Sequence, residues 1–213
     1  MEKKILLLNP AVCKTLTVLI CALVLSLSCK KENSSGPPPP PPPPPGTSNV
    51  SFFSMDGPHE YRQRDTVPDP SIELGLKFKT SIAGKITAIR FWKARGNDGV
   101  HTGQLYTTGG SLLASKDFTN ETDSGWQQVL FDAPVPIQAN TTYVAAYFSS
   151  LGKYSSTKDG LKTGLSNSPL SAPADSVEGY NGLFKYCSSP VLPDTSFVSN
   201  NYWVDIILNY PNN

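Results

Sequence analysis

Few side chains in this chain could run a reaction. There are two histidines, His59 and His101, and no His-Glu-x-x-His pair or Gly-x-Ser-x-Gly elbow accompanies them. Acyl transfer needs a nucleophile with a base in reach, and glycoside cleavage needs two positioned carboxylates. Asp98, Glu178 and Asp205 could meet in space, but nothing in their spacing pairs them. Cys187 is the one cysteine beyond position 29, so it has no disulfide partner within the following domain and reads as a small buried hydrophobe. Calcium could draw on Asp56, Asp98 and Asp205, yet no calcium-loop spacing links them. We therefore expect a non-enzyme with no catalytic residues, no metal and no cofactor.

The aromatic residues offer a different chemistry. Pyranose C–H groups pack on exposed π faces while polar neighbours satisfy the hydroxyls. Trp92, Tyr106, Tyr154, Tyr180 and Trp203 are the candidate faces, and His101 and Asp205 are the candidate polar neighbours. The ligand-binding set expected from them is Trp92, His101, Tyr154, Tyr180, Trp203 and Asp205. Trp126 opens a strand with apolar partners and reads as a core or rim residue. If Val204, Ile206 and Leu208 face the core, Trp203 and Asp205 point outward or into a groove; core packing of Trp203 is an equal reading. Asn97-Asp98-Gly99 is first a turn, and only second a polar rim that includes His101.

These residues need strands to position them. Gly (16) and Pro (20) are abundant and charged residues make up only 16 %, a balance suited to a turn-rich β domain. Ile72, Leu74, Leu76 and Phe78 alternate with period two. Further strands are expected at 85–93, 103–107, 112–118, 125–131, 142–148, 183–187 and 201–209, with Gly109-Gly110 as a hairpin turn and Pro134-Val-Pro-Ile137 as an edge-like piece. Residues 151–178 are polar and Gly/Ser/Pro-rich, a structured loop excursion. The fold class expected is all-β, a β-sandwich with jelly-roll connectivity preferred over an immunoglobulin-like order.

The N-terminus directs the domain outward. Lys3, Lys4 and Lys14 precede the uncharged apolar stretch 15–28. As a helix that stretch would reach only ~21 Å, short of the ~30 Å hydrocarbon core, so it reads as an export signal. Leu25-Ser-Leu-Ser-Cys29 resembles the lipobox of bacterial lipoproteins, with Ser26 at the usual leucine position, and Cys29-Lys-Lys-Glu32 looks like a lipoprotein start of the Bacteroidetes type. That resemblance implies acylation of Cys29 and anchoring to the outer membrane, facing the periplasm or the cell surface. Prolines fill residues 37–45 without interruption. In polyproline II geometry they extend ~28 Å, a semi-rigid stalk. The expected organisation is a signal at 1–28, a lipidated Cys and linker at 29–49, and a domain at 50–213. From 18 basic and 17 acidic residues, loss of Lys3, Lys4, Lys14 and Glu2 leaves a net charge of −1 and no basic stripe for nucleic acid.

A family resemblance covers about residues 51–210. Glu73-Leu-Gly-Leu-Lys-Phe78, Ile89-Arg-Phe-Trp-Lys93, Asn97-Asp-Gly-Val-His-Thr-Gly103, Gly125-Trp-Gln127, Thr141-Thr-Tyr-Val144, Tyr180-Asn-Gly182 and Asn201-Tyr-Trp-Val-Asp205 stand in the order and spacing of the DUF4082 domain. The resemblance implies an accessory or binding role in the cell envelope and brings no catalytic residues. The expected function is a membrane-anchored, non-catalytic binding module for carbohydrate or glycan. A structural or assembly lipoprotein that docks onto an envelope protein is the alternative.

Overall fold

The computed structural model describes residues 46–54, 62–63 (backbone only) and 70–212. The export signal, Cys29 and the proline run lie outside the described residues, as do Asp56 and His59. Among the described residues fourteen strands follow in chain order: β1 (Thr47–Val50), β2 (Arg62–Gln63), β3 (Ile72–Thr80), β4 (Gly84–Lys93), β5 (His101–Thr107), β6 (Leu112–Asp117) and β7 (Gly125–Ile137), then β8 (Tyr143–Ser149), β9 (Ser155–Ser156), β10 (Leu165–Asn167), β11 (Leu170–Ala172), β12 (Leu183–Tyr186), β13 (Thr195–Ser196) and β14 (Val204–Pro211).

The strands form two main antiparallel sheets. The smaller runs β1-β14-β4-β7, and the larger runs β10-β11-β3-β8-β5-β6 with β12 added to β3 and β13 to β12. Set the short strands aside and the orders are β1-β14-β4-β7 and β3-β8-β5-β6. The chain crosses between sheets from β3 to β4, β4 to β5, β6 to β7 and β7 to β8. Only the β5–β6 hairpin, turning at Gly109-Gly110, stays within one sheet. That is jelly-roll connectivity.

Period-two alternation builds the core. Ile72, Leu74, Leu76 and Phe78 of β3 pack in one cluster with Ile89 and Phe91 of β4 and with Val204, Ile206 and Leu208 of β14. Each such side chain stabilises the fold by about 1.5–3 kcal/mol relative to exposure. Phe91 stacks on Tyr147 at 4.4 Å between centroids and meets Phe118 edge-on at 4.9 Å. The stretch Pro134-Val-Pro-Ile137 continues β7, the outermost strand of its sheet, where a missing proline N–H costs no ladder bond.

Both outer faces carry buried polar groups, which strand periodicity did not lead us to expect. On the larger sheet, residues 187–194 cross the strands: Leu192 packs on Tyr106, Val144 and Leu183. Pro193 lies so close to Gly75 that a Cβ there would sit 2.7 Å from its ring. Glu73 is buried beneath this strap, and the Gln104 amide, oriented with its nitrogen toward the carboxyl, donates to Oε1 at 2.7 Å. Cys187 begins the strap and is half-buried rather than buried, a correction to the sequence reading. It anchors the strap through its backbone, its N–H donating to Ser71 O at 3.0 Å.

On the smaller sheet, residues 51–54 fold over Arg90 and Asp205. Phe53 stacks on Trp126 at 5.6 Å, and the Arg90 guanidinium lies 4.5 Å from the Trp126 ring centre.

Candidate functional site

A groove of about 570 Å³ opens beside β12, within the size range of small-ligand sites. Its floor and walls are rings: Tyr154, Phe184, Tyr186, Phe197 and Tyr202. Phe184 and Tyr186 alternate to one side of β12 and meet at 5.8 Å. Tyr154 and Tyr202 pack edge-on at 5.6 Å and are buried, forming the base. Tyr186 and Phe197 are 47 % and 54 % exposed.

One wall is the segment 197–203, pinned to 157–161 by a short ladder. Asp159 N donates to Val198 O at 3.1 Å, Leu161 N to Ser199 O at 2.9 Å, and Thr157 and Asn201 exchange bonds at 2.8 and 3.0 Å. Trp203 Nε1 donates to Thr157 Oγ1 at 3.1 Å, and Ser199 Oγ to Asp175 Oδ2 at 2.8 Å. The pinned backbone is strained. Val198, Ser199 and Trp203 all take positive φ, at 45°, 48° and 56°. A left-handed β-branched residue costs about 1–2 kcal/mol, and such strain gathers where a site must hold a fixed shape. Gly182 makes room for the wall: at φ 70°, a Cβ would fall 1.9 Å from Asn200 O.

Polar groups complete the lining. Asn200 is nine-tenths buried, and its Oδ1 is buried without a hydrogen-bond partner among the described residues. A buried, unpaired amide oxygen costs about 1–3 kcal/mol until a donor reaches it. Lys158 is exposed, and among the described residues it makes no ion pair and no carboxylate lines the groove.

The expected binding residues are dispersed. Tyr154 belongs to the groove, as part of its base. Tyr180 is 63 % exposed but does not line it. Trp203 sits behind the groove wall, with its ring 4.9 Å from Phe53. Trp92 packs edge-on against Trp126 at 5.6 Å on the outer face of the smaller sheet.

Two expectations are corrected. Asp205 does leave the core face, but it is fully buried rather than open. Residues 51–54 cover it, and it accepts from Arg90 Nη2 and the Phe52 N–H at 2.8 and 2.9 Å. Burial raises its carboxyl above the ordinary value, and Arg90 and the backbone donors oppose that rise. His101 is also fully buried: its Nδ1 lies 2.9 Å from Glu121 Oε1, and its Nε2 lies 3.1 Å from Asn97 Oδ1. Burial lowers its pKa, against the pull of Glu121. Neither residue can touch a ligand.

The groove residues Lys158, Phe184, Tyr186, Phe197, Asn200 and Tyr202 were not anticipated. The one sequence signal was the alternation of Phe184 and Tyr186 within an expected strand. Among the described residues no group of three His, Cys, Asp or Glu side chains could hold an ion.

The fold and groove together define a jelly-roll β-sandwich with an aromatic cleft beside a strand of its larger sheet. The family described as a domain of unknown function, DUF4082, matches residues 57–204, and the chain belongs to it. No curated protein matches the chain.

Proposed function

We propose that this domain is a non-catalytic carbohydrate-binding module, and that the groove beside β12 is its binding site. The observation that carries the reading is a cleft of about 570 Å³ lined by five aromatic rings, two of which, Tyr186 and Phe197, are about half exposed. Rings stack on the C–H face of a pyranose.

The tether belongs to the same proposal. An acylated Cys29 would fix the chain to the outer membrane and the proline run would hold the groove clear of it, on the periplasmic or outer side. The described chain starts at residue 46, next to β1, which pairs with β14 from Thr47↔Pro211 to Val50↔Leu208.

A pull-down of the purified full-length protein on a panel of plant, fungal, algal and host polysaccharides tests the reading. Retention that is lost in Tyr186→Ala/Phe197→Ala supports it. Folded protein that passes every matrix, or is retained equally by the double variant, overturns it.

A further inference from the structure

We propose that residues 187–194 form a lid, which opens when Glu73 loses its proton and uncovers Gln104, Tyr106 and Val144 on the outer face of the larger sheet. The device is independent of the groove beside β12 and of what that groove binds.

The lid is fastened at its ends and loose in its middle. At one end Cys187 N donates to Ser71 O at 3.0 Å, and Ser71 Oγ donates to Cys187 O at 2.6 Å. At the other, β13 pairs with β12 through Leu183↔Ser196 and Phe184↔Thr195, and Lys185 holds Asp194 at 2.6 Å. Between these ends, residues 188–193 make no backbone–backbone hydrogen bond among the described residues. Leu192 packs on Tyr106, Val144 and Leu183, and Pro193 rests on Gly75. The strands beneath are different: β3, β8 and β5 are each hydrogen-bonded to a neighbour on both sides. A segment held by a few side chains opens locally at far lower cost than a paired strand.

Glu73 is the group whose charge acts on that cover. It is fully buried, and its Oε2 has no hydrogen-bond partner among the described residues. Oε1 accepts from the Gln104 amide at 2.7 Å. The groups around it bring no cation into contact. On β5 the titratable neighbour is Tyr106, and on the lid it is Cys187. On β8 the register partner is Phe148, while Tyr147 faces the core on the other side of the sheet. On β12 the register partner is Lys185, whose ammonium is taken by Asp194.

Such a pocket suits a protonated carboxyl and penalises a carboxylate. Burial pushes Glu73 up to about 9, against the pull of the Val191 backbone N–H. Ionisation becomes favourable once water reaches the oxygens, and the lid is the loosest of the elements that exclude it. Opening then releases one proton. Its equilibrium constant should rise about tenfold per pH unit between the ordinary carboxyl value of 4.5 and about 9.

Thiol labelling under the lid tests this. Val144→Cys, in full-length protein carrying Cys187→Ser, places a thiol beneath Leu192. Maleimide labelling at residue 144, located by peptide mass mapping, is divided by the rate of an unstructured cysteine peptide at the same pH. The corrected rate should climb about tenfold per pH unit from pH 6 to 8.5. Low urea should leave it unchanged, because lifting a lid exposes little surface. Glu73→Gln keeps the shape of the neutral carboxyl and should flatten the climb. Leu192→Ala should raise labelling several-fold at each pH and keep the slope, with circular dichroism checking both folds.

A flat profile, or the same slope in Glu73→Gln, overturns Glu73 as the trigger. Labelling that accelerates in low urea, or that Leu192→Ala leaves unchanged, overturns the lid.

Discussion

Asp205 and Arg90 stand directly opposite each other on β14 and β4, and their side chains meet at 2.8 Å beneath the residues that lead out of β1. The carboxylate also accepts the Phe52 N–H at 2.9 Å, and Arg90 donates to Phe53 O at 3.0 Å. The pair thereby staples the chain entering the domain to its central strands. Deleting one partner leaves the other charge buried, so Asp205→Ala should cost about 3–5 kcal/mol in urea unfolding. The double variant Arg90→Met/Asp205→Leu should cost less than Asp205→Ala alone. A double variant as costly as the sum of the two singles, Arg90→Met and Asp205→Leu, would show that the pair does not act as a unit.

Glu73 and His101 set opposite pH limits. Burial pushes Glu73 up to about 9 from an ordinary 4.5, so the folded state holds a proton that the unfolded state releases. Stability from this site is full below about pH 4.5 and declines as pH rises toward 9. His101, held below 6.5 by burial, works the other way: stability falls as pH drops under 6.5, where the unfolded imidazole gains a proton that the folded one resists. Urea midpoints at pH 5, 7 and 9 should show Glu73→Gln losing less stability than wild type between pH 7 and 9. A parallel loss in both proteins would remove Glu73 as the cause.

Strain at Val198 should trade against binding. Val198→Gly relieves a left-handed β-branched residue and adds backbone freedom to the unfolded chain, for a net gain of up to about 1 kcal/mol. The freed wall should bind glycan more weakly, since the ring of Phe197 and the amide of Asn200 lose their fixed spacing. Thermal midpoint and affinity measured together check this, and a variant that gains both stability and affinity would contradict it.

Lipidation gives a prediction independent of the fold. Metabolic labelling with a palmitate analogue should mark the protein, and Cys29→Ala should abolish the label and release the chain from membranes. Label retained in Cys29→Ala would refute acylation at that residue.

Much of the architecture was legible because strand periodicity reports burial. The inward set of β3 and the Val204, Ile206, Leu208 series of β14 follow from alternation alone, and Gly109-Gly110 marks its hairpin. The outer faces were not legible, since covering by residues 51–54 and 187–194 is a tertiary event that leaves no period in the strands it covers. Asp205 and Trp203 show the difference. Alternation places Asp205 off the core face as expected, yet a strap then buries it. Trp203, in a left-handed conformation, turns away from the regular strand and bonds Thr157. The groove was largely hidden for the same reason. Its rings come from positions 154, 184, 186, 197 and 202, joined only by the folding of long loops.

Saturation-transfer difference NMR on the full-length protein with oligosaccharides from the polysaccharide panel probes the groove most directly. Irradiating aromatic ring protons should transfer saturation to the C–H protons of one pyranose face, and Tyr186→Ala/Phe197→Ala should abolish it with the fold intact. No transfer to any oligosaccharide, or transfer undiminished in that double variant, would contradict the assignment of this groove as a sugar site.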